Sequence, residues 1–170
     1  GARAYLFVVD GPDGRYSWFF NNTASASDLQ EPLVMEGKNY GAPLANLQAA
    51  MKRAGVSTVD LWIGSGGAAV AELVVPVLRP RYFIPVHWDG LFTPFQSGVV
   101  SSYADPPLEA FLSTSKVVLV RPTQYMDKWR LSRAGVPSVD NSKVKPASGL
   151  TEIVRSGEFV APVGGRAGVW

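Results

Sequence analysis

Residues 58–86 read TVDLWIGSGGAAVAELVVPVLRPRYFIPV. The run 58–63 is apolar and partly β-branched, which suits a buried strand. Gly64-Ser65-Gly66-Gly67 then has the composition of a tight loop, and 68–75 is a small-residue, apolar helix in prospect. Pro76 is expected to end or kink that helix. The run 81–86 is a second apolar strand. Strand, helix and strand in this order form a parallel unit, so the stretch assigns the chain to the α/β class.

Upstream, 4–10 (AYLFVVD) and 15–21 (RYSWFFN) are apolar and aromatic, and Gly11-Pro12-Asp13-Gly14 between them has turn chemistry. An antiparallel N-terminal hairpin follows, and the sheet is expected to be mixed. Residues 22–41 are read as a polar, irregular loop. Pro43 opens a helix whose apolar positions Leu44, Leu47, Ala50, Met51 and Ala54 recur at helical spacing, and Gly55 stops it. Downstream, Asp105 with Pro106 caps a short helix through Leu112, 116–120 (KVVLV) is a strand, and 129–131 adds a short one. The expected organisation is a domain over 1–135 and an irregular C-terminal arm over 136–170, rich in Gly, Pro, Ser and Lys.

Of 170 residues, 46% are hydrophobic and 18% charged, which excludes a disordered chain. The net charge of +2 is spread without a basic block, so no nucleic-acid partner is indicated. No apolar run is long enough for a transmembrane segment, and no signal-peptide pattern is present. Cysteine is absent, which removes disulfides, thiolate zinc sites and cysteine nucleophiles. His87 is the single histidine and must carry any imidazole chemistry of the chain. The chain opens on Gly1 and enters a strand at once, so it reads as the continuation of a longer or processed product.

Two constellations bear on chemistry. Gly64, Gly66 and Ala69 form a G-x-G-x-x-A string between a strand and a helix, with Asp89 after the next strand. That is the context of a dinucleotide fingerprint, in which glycines let pyrophosphate approach a helix N-terminus. It is equally the composition of a turn that lets a helix pack closely on its strand. The second constellation is Ile84-Pro85-Val86-His87-Trp88-Asp89-Gly90-Leu91-Phe92, where a strand delivers a histidine to the carboxyl edge of the sheet. Ligands of α/β sheets bind at that edge, and neutral imidazole is a common ligand of zinc-type metals.

With Phe20-Asn21-Asn22-Thr23-Ala24 and Val59-Asp60-Leu61-Trp62-Ile63-Gly64, this last motif makes residues 4–91 resemble the C-terminal half of a metallo-β-lactamase-fold hydrolase. The resemblance is to the branch of ascorbate-phosphate lactonase-like and N-acyl-phosphatidylethanolamine phospholipase D-like enzymes. It implies a four-layer αβ/βα sandwich of which this chain is one half, and one or two ions of zinc, iron or manganese. His87 is the implied last metal ligand, with Asn22 or Asp28 near it, Asp89 orienting the imidazole, and Trp88, Phe92 and Phe95 shaping the entrance. The reaction implied is hydrolysis of a small-molecule lactone, ester, amide or phosphodiester by a metal-activated water.

The departures are specific. Asn22 stands where the family places a bridging aspartate, and the family's His-x-His-x-Asp-His motif is absent. A catalytic zinc takes about three protein ligands, which one histidine without cysteine does not supply. Strands as apolar as AYLFVVD, DLWI, FIPV and KVVLV ask for cover on both sheet faces, and the chain has few helices to give it. The expectation is therefore activity only together with a partner, an N-terminal half that brings the main ligands. A non-catalytic binding or assembly module of the same fold is the rival, and a dinucleotide-binding protein the next.

Overall fold

The computed structural model describes residues 4–22, 25–86, 105–122 and 127–140. They form an α/β unit with a mixed five-stranded sheet. Strands β1 (Ala4–Gly11) and β2 (Gly14–Asn21) are the expected hairpin, paired antiparallel without a break from Ala4↔Asn21 to Gly11↔Gly14. Strands β5 (Leu61–Gly64), β6 (Tyr82–Pro85) and β7 (Val118–Leu119) continue from β2 in the order β1-β2-β5-β6-β7, each parallel to its neighbour. These cores are shorter than the apolar runs that announce them.

Residues 25–41 are more regular than their composition suggests. Helix α1 (Ala26–Gln30) is capped by Ser25, whose Oγ accepts the Asp28 amide at 3.4 Å. A small hairpin, β3 (Val34–Met35) with β4 (Lys38–Asn39), follows. One helical turn offers only Leu29 to the core, which is too little periodicity to be read from sequence. Helix α2 (Pro43–Ala54) has the expected bounds. Gly55 ends it at φ 64°, and the Val56 amide reaches back to the Met51 carbonyl at 2.9 Å, a Schellman closure.

Helix α3 (Gly67–Leu78) runs through Pro76 to Leu78. Pro76 and Glu72, whose carbonyl loses its donor, are both exposed residues, on the side of the helix where solvent can replace a lost donor. Leu78 is fully buried and anchors the last turn. Helix α4 (Pro106–Thr114) begins at its expected cap: Asp105 Oδ1 accepts the Leu108 amide at 3.1 Å.

The two faces of the sheet differ. Phe19, Trp62, Phe83 and Leu119 are in register across the strands and point to one side, where they meet Met51, Val70, Val74, Leu78, Leu108 and Leu112 of the helices. Trp62 and Phe83 are each 1% exposed with ring centroids 4.4 Å apart, and form the centre of this core. Consecutive helices contact one another, α2 with α3 and α3 with α4, and make one layer. On the other side the register aligns Tyr5, Phe7 and Val9 with Tyr16, Trp18 and Phe20, then Leu61 and Ile63, Tyr82 and Ile84, and Val118. None of these residues joins the cluster around Trp62 and Phe83, and of them Leu61 alone is buried, at 7% exposure. Tyr5, Phe7, Val9 and Val118 are 41–55% exposed, and Tyr5, Phe7 and Trp18 stack in series.

Residues 127–140 fold into a turn, bridged at Trp129↔Ser138 and Ser132↔Gly135. Trp129 therefore makes a single bridge where a short strand is expected. Arg133 fastens this turn to the sheet: it lies over the Tyr16 ring, donates to the Arg15 carbonyl and sits 3.5 Å from Asp60. Asp60 also accepts the Ser17 amide at 2.9 Å and lies 3.8 Å from Arg81, so one half-buried carboxylate ties β2, the residue that leads into β6 and the turn together.

A second ion pair gives α4 a pH dependence. Arg121 forks onto both oxygens of Glu109 at 2.9 and 2.5 Å, and the Asp105 amide donates to the same carboxylate. The Arg121 fork first, and that amide second, hold the Glu109 carboxyl below the usual glutamate range. A lowered folded-state value means stabilisation present above the ordinary glutamate pKa of about 4.3 and lost as pH falls through the lowered one. Urea midpoints of wild type and Glu109→Gln, followed from about pH 6 to about pH 3, are expected to converge at the acid end. Parallel curves would remove the assignment.

Candidate functional site

The parallel strands β2, β5 and β6 end together at Asn21, Gly64 and Pro85, and this carboxyl edge is where α/β sheets present ligands. Asn21 lies on the Phe19 side of β2 and is 6% exposed. Its Oδ1 accepts the Trp62 indole N–H at 2.6 Å, and its Nδ2 donates to the Ser65 carbonyl at 3.4 Å. Ser65 Oγ donates to the Asn22 carbonyl at 2.5 Å, and the Val86 amide to the Gly64 carbonyl at 2.9 Å. These bonds lock the ends of three strands into one rim.

Behind the rim lies a crevice of about 190 Å³, floored by Phe83, Pro85, Val86 and Leu108 and edged by the 64–67 loop and Asp105. Gly66 caps α3 at φ 119° without a side-chain bond, and the second carboxylate oxygen of Asp105 faces Gly67. Asp105 thus serves the start of α4 with one oxygen and borders the start of α3 with the other. Sequence reading finds the cap and misses the crevice, because only the return of α4 against α3 brings Asp105 there.

The glycines of the loop answer to packing. A β-carbon at 64 would overlap the Trp62 indole nitrogen and the Asn21 amide oxygen, and one at 66 would overlap the Val70 side chain. The crevice is also smaller than the roughly 300–1,000 Å³ typical of ligand pockets. The close-packing reading has this direct support at Gly64 and Gly66, while Ala69 is exposed; the nucleotide reading has only the strand–loop–helix context.

Of the expected metal ligands, Asn22 is at the rim, exposed, with its main chain tied to Ser65. Asp28 is exposed in the first turn of α1, where its carboxylate meets the Ser27 hydroxyl at 3.5 Å. His87, Trp88, Asp89, Phe92 and Phe95 lie outside the described residues. Among the described residues no group of three or more His, Cys, Asp or Glu side chains is placed to hold a metal. The described donors do not by themselves fit a catalytic zinc, which takes about three protein ligands. Among the described residues, too, no helix is long and apolar enough to cross a membrane.

Comparison with protein-family models, with curated proteins and with solved structures finds no match for this chain.

Proposed function

We propose that the chain is the C-terminal layer of a metallo-β-lactamase-type hydrolase and works with an N-terminal layer, as a separate or cleaved chain, that brings the main metal ligands. The observation that carries this reading is the one-sided architecture. The described helices pack in one layer, and the opposite sheet face is apolar across all five strands, from Tyr5 to Val118, with the 127–140 turn laid over Tyr16 and Tyr82 at its near end. A face of that composition is suited to packing against a second sheet, roughly 10 Å away. The motif Pro85-Val86-His87-Trp88 supports the same reading, since Val86 stands on the rim and His87 follows it in sequence.

Within this reading the rim residues have a positioning role. The Asn21–Trp62 bond and the Ser65–Asn22 bond fix the strand ends, and Asp105 with Phe83 and Leu108 forms the inner wall of the crevice. The substrate class is a small lactone, ester, amide or phosphodiester, and the apolar floor favours one with an apolar part.

Native mass spectrometry with metal analysis of the purified full chain tests the proposal. The expected result is a complex of this chain with a second polypeptide that carries transition metal, and a loss of that metal in His87→Ala without loss of the complex. A bare, metal-free monomer would remove the hydrolase and leave a non-catalytic module of the same fold.

A further inference from the structure

We infer that β1 is a self-association edge, which pairs antiparallel with β1 of a second copy of this chain. Among the described residues β1 has one neighbour, β2, and every second residue of such a strand turns both its amide and its carbonyl to the open side. Sheets normally blunt an open edge with a lysine, a proline, a bulge or a very short strand. β1 has none of these. It is Ala4–Gly11, AYLFVVDG, in unbroken register with β2. Its one charge, Asp10, lies at the turn end, 3.7 Å from Arg15.

The occupant is a second copy because the strand is complementary to itself. A two-fold axis through Phe7 sets Phe7 opposite Phe7, Tyr5 opposite Val9, Leu6 opposite Val8 and Ala4 opposite Asp10. No like charges meet, and the pairs that form are the aromatic and β-branched kinds that stabilise antiparallel strands. The same pairing gives cross-strand neighbours to Tyr5, Phe7 and Val9, the three large apolar side chains that β1 leaves 41–46% exposed. The series of stacked rings from Trp18 through Phe7 then continues across the axis. One strand edge buries less than the roughly 1,000 Å² of a stable interface, so the dimer is reversible and concentration-dependent. The axis reverses strand direction, which puts the two carboxyl rims at opposite ends of the joined sheet.

Sedimentation velocity of the full chain from about 1 to about 200 µM tests this, across the range where weak interfaces dissociate. Wild type, with or without a bound second layer, is expected to double in mass across this range. Phe7→Lys and Phe7→Asp are each expected to stay monomeric with unchanged far-UV circular dichroism. An equimolar mixture of the two restores the dimer, because only pairing about Phe7 sets the new charges opposite each other. Val118→Lys changes the same face at the far edge of the sheet and should dimerise like wild type. A wild type that is monomeric throughout overturns the inference. So does a dimer that survives Phe7→Lys, or one that Val118→Lys abolishes.

Discussion

Replacing Gly64 by alanine is expected to cost the fold roughly 3 kcal/mol or more, from overpacking and a broken buried hydrogen bond together. The position has no slack. Gly64 is buried, and the space its β-carbon would take already holds the Trp62 indole nitrogen and the Asn21 amide oxygen. Those two atoms are bonded at 2.6 Å, and Trp62 is 1% exposed, so neither can retreat into solvent. Overpacking a tight core costs about 1–3 kcal/mol, and leaving a buried donor without an acceptor costs a similar amount. Asn21→Ala isolates the second contribution and should lose about 1–3 kcal/mol. Because the two substitutions act on one contact, their costs should not add: Gly64→Ala should be less damaging once Asn21 is alanine. Urea unfolding of the two single variants and the double variant measures all three. A Gly64→Ala chain within about 0.5 kcal/mol of wild type would show that packing does not require the glycine, and would reopen the reading in which the loop backbone approaches a pyrophosphate.

That contact also marks where sequence reading reaches and where it stops. The strand–loop–helix–strand unit is legible because its signals are local: an apolar run, a glycine loop, another apolar run. Helix α2 is legible to its last residue because Pro43 and Gly55 are punctuation. The rim is harder. Sequence comparison of residue types selects Asn22, whereas the amide that works inside the fold is Asn21. Period-two counting from Phe19 puts Asn21 on the core side, but its partner Trp62 is 41 residues away, and the bond depends on the register of β2 with β5. Asp105 is the same case on a larger scale. Its cap is local and was readable; its place beside the start of α3 depends on how α4 returns. Helix α3 outlasts Pro76 for a tertiary reason, since Leu78 is buried, while Glu72, the residue that loses a donor, is exposed.

The apolar face carries the other large effect. The isolated chain is expected to enhance the fluorescence of an anionic naphthalene dye, and Trp18→Lys to abolish most of that enhancement. Trp18 stands on β2 in mid-face, stacked on Phe7 at 5.1 Å and in register with Leu61. Its side chain is half-buried, so a lysine there can extend its ammonium to water and the fold should lose only about 1–2 kcal/mol. The consequence for assembly is much larger. Beneath a second sheet the same ammonium would be taken out of water without a partner, a cost of several kcal/mol, and aromatic anchors of this kind dominate interfaces. Affinity for the second layer should therefore fall about 100-fold or more, while the chain itself stays folded. Titrating the second polypeptide recovered with the wild-type chain into each variant, with native mass spectrometry as the readout, separates the two effects. A wild-type chain that leaves the dye dark would mean that the face is already covered within one chain. A one-chain cover would also remove the need for a second layer, because Tyr5, Phe7, Val9 and Val118, the side chains this face leaves exposed, would already be buried.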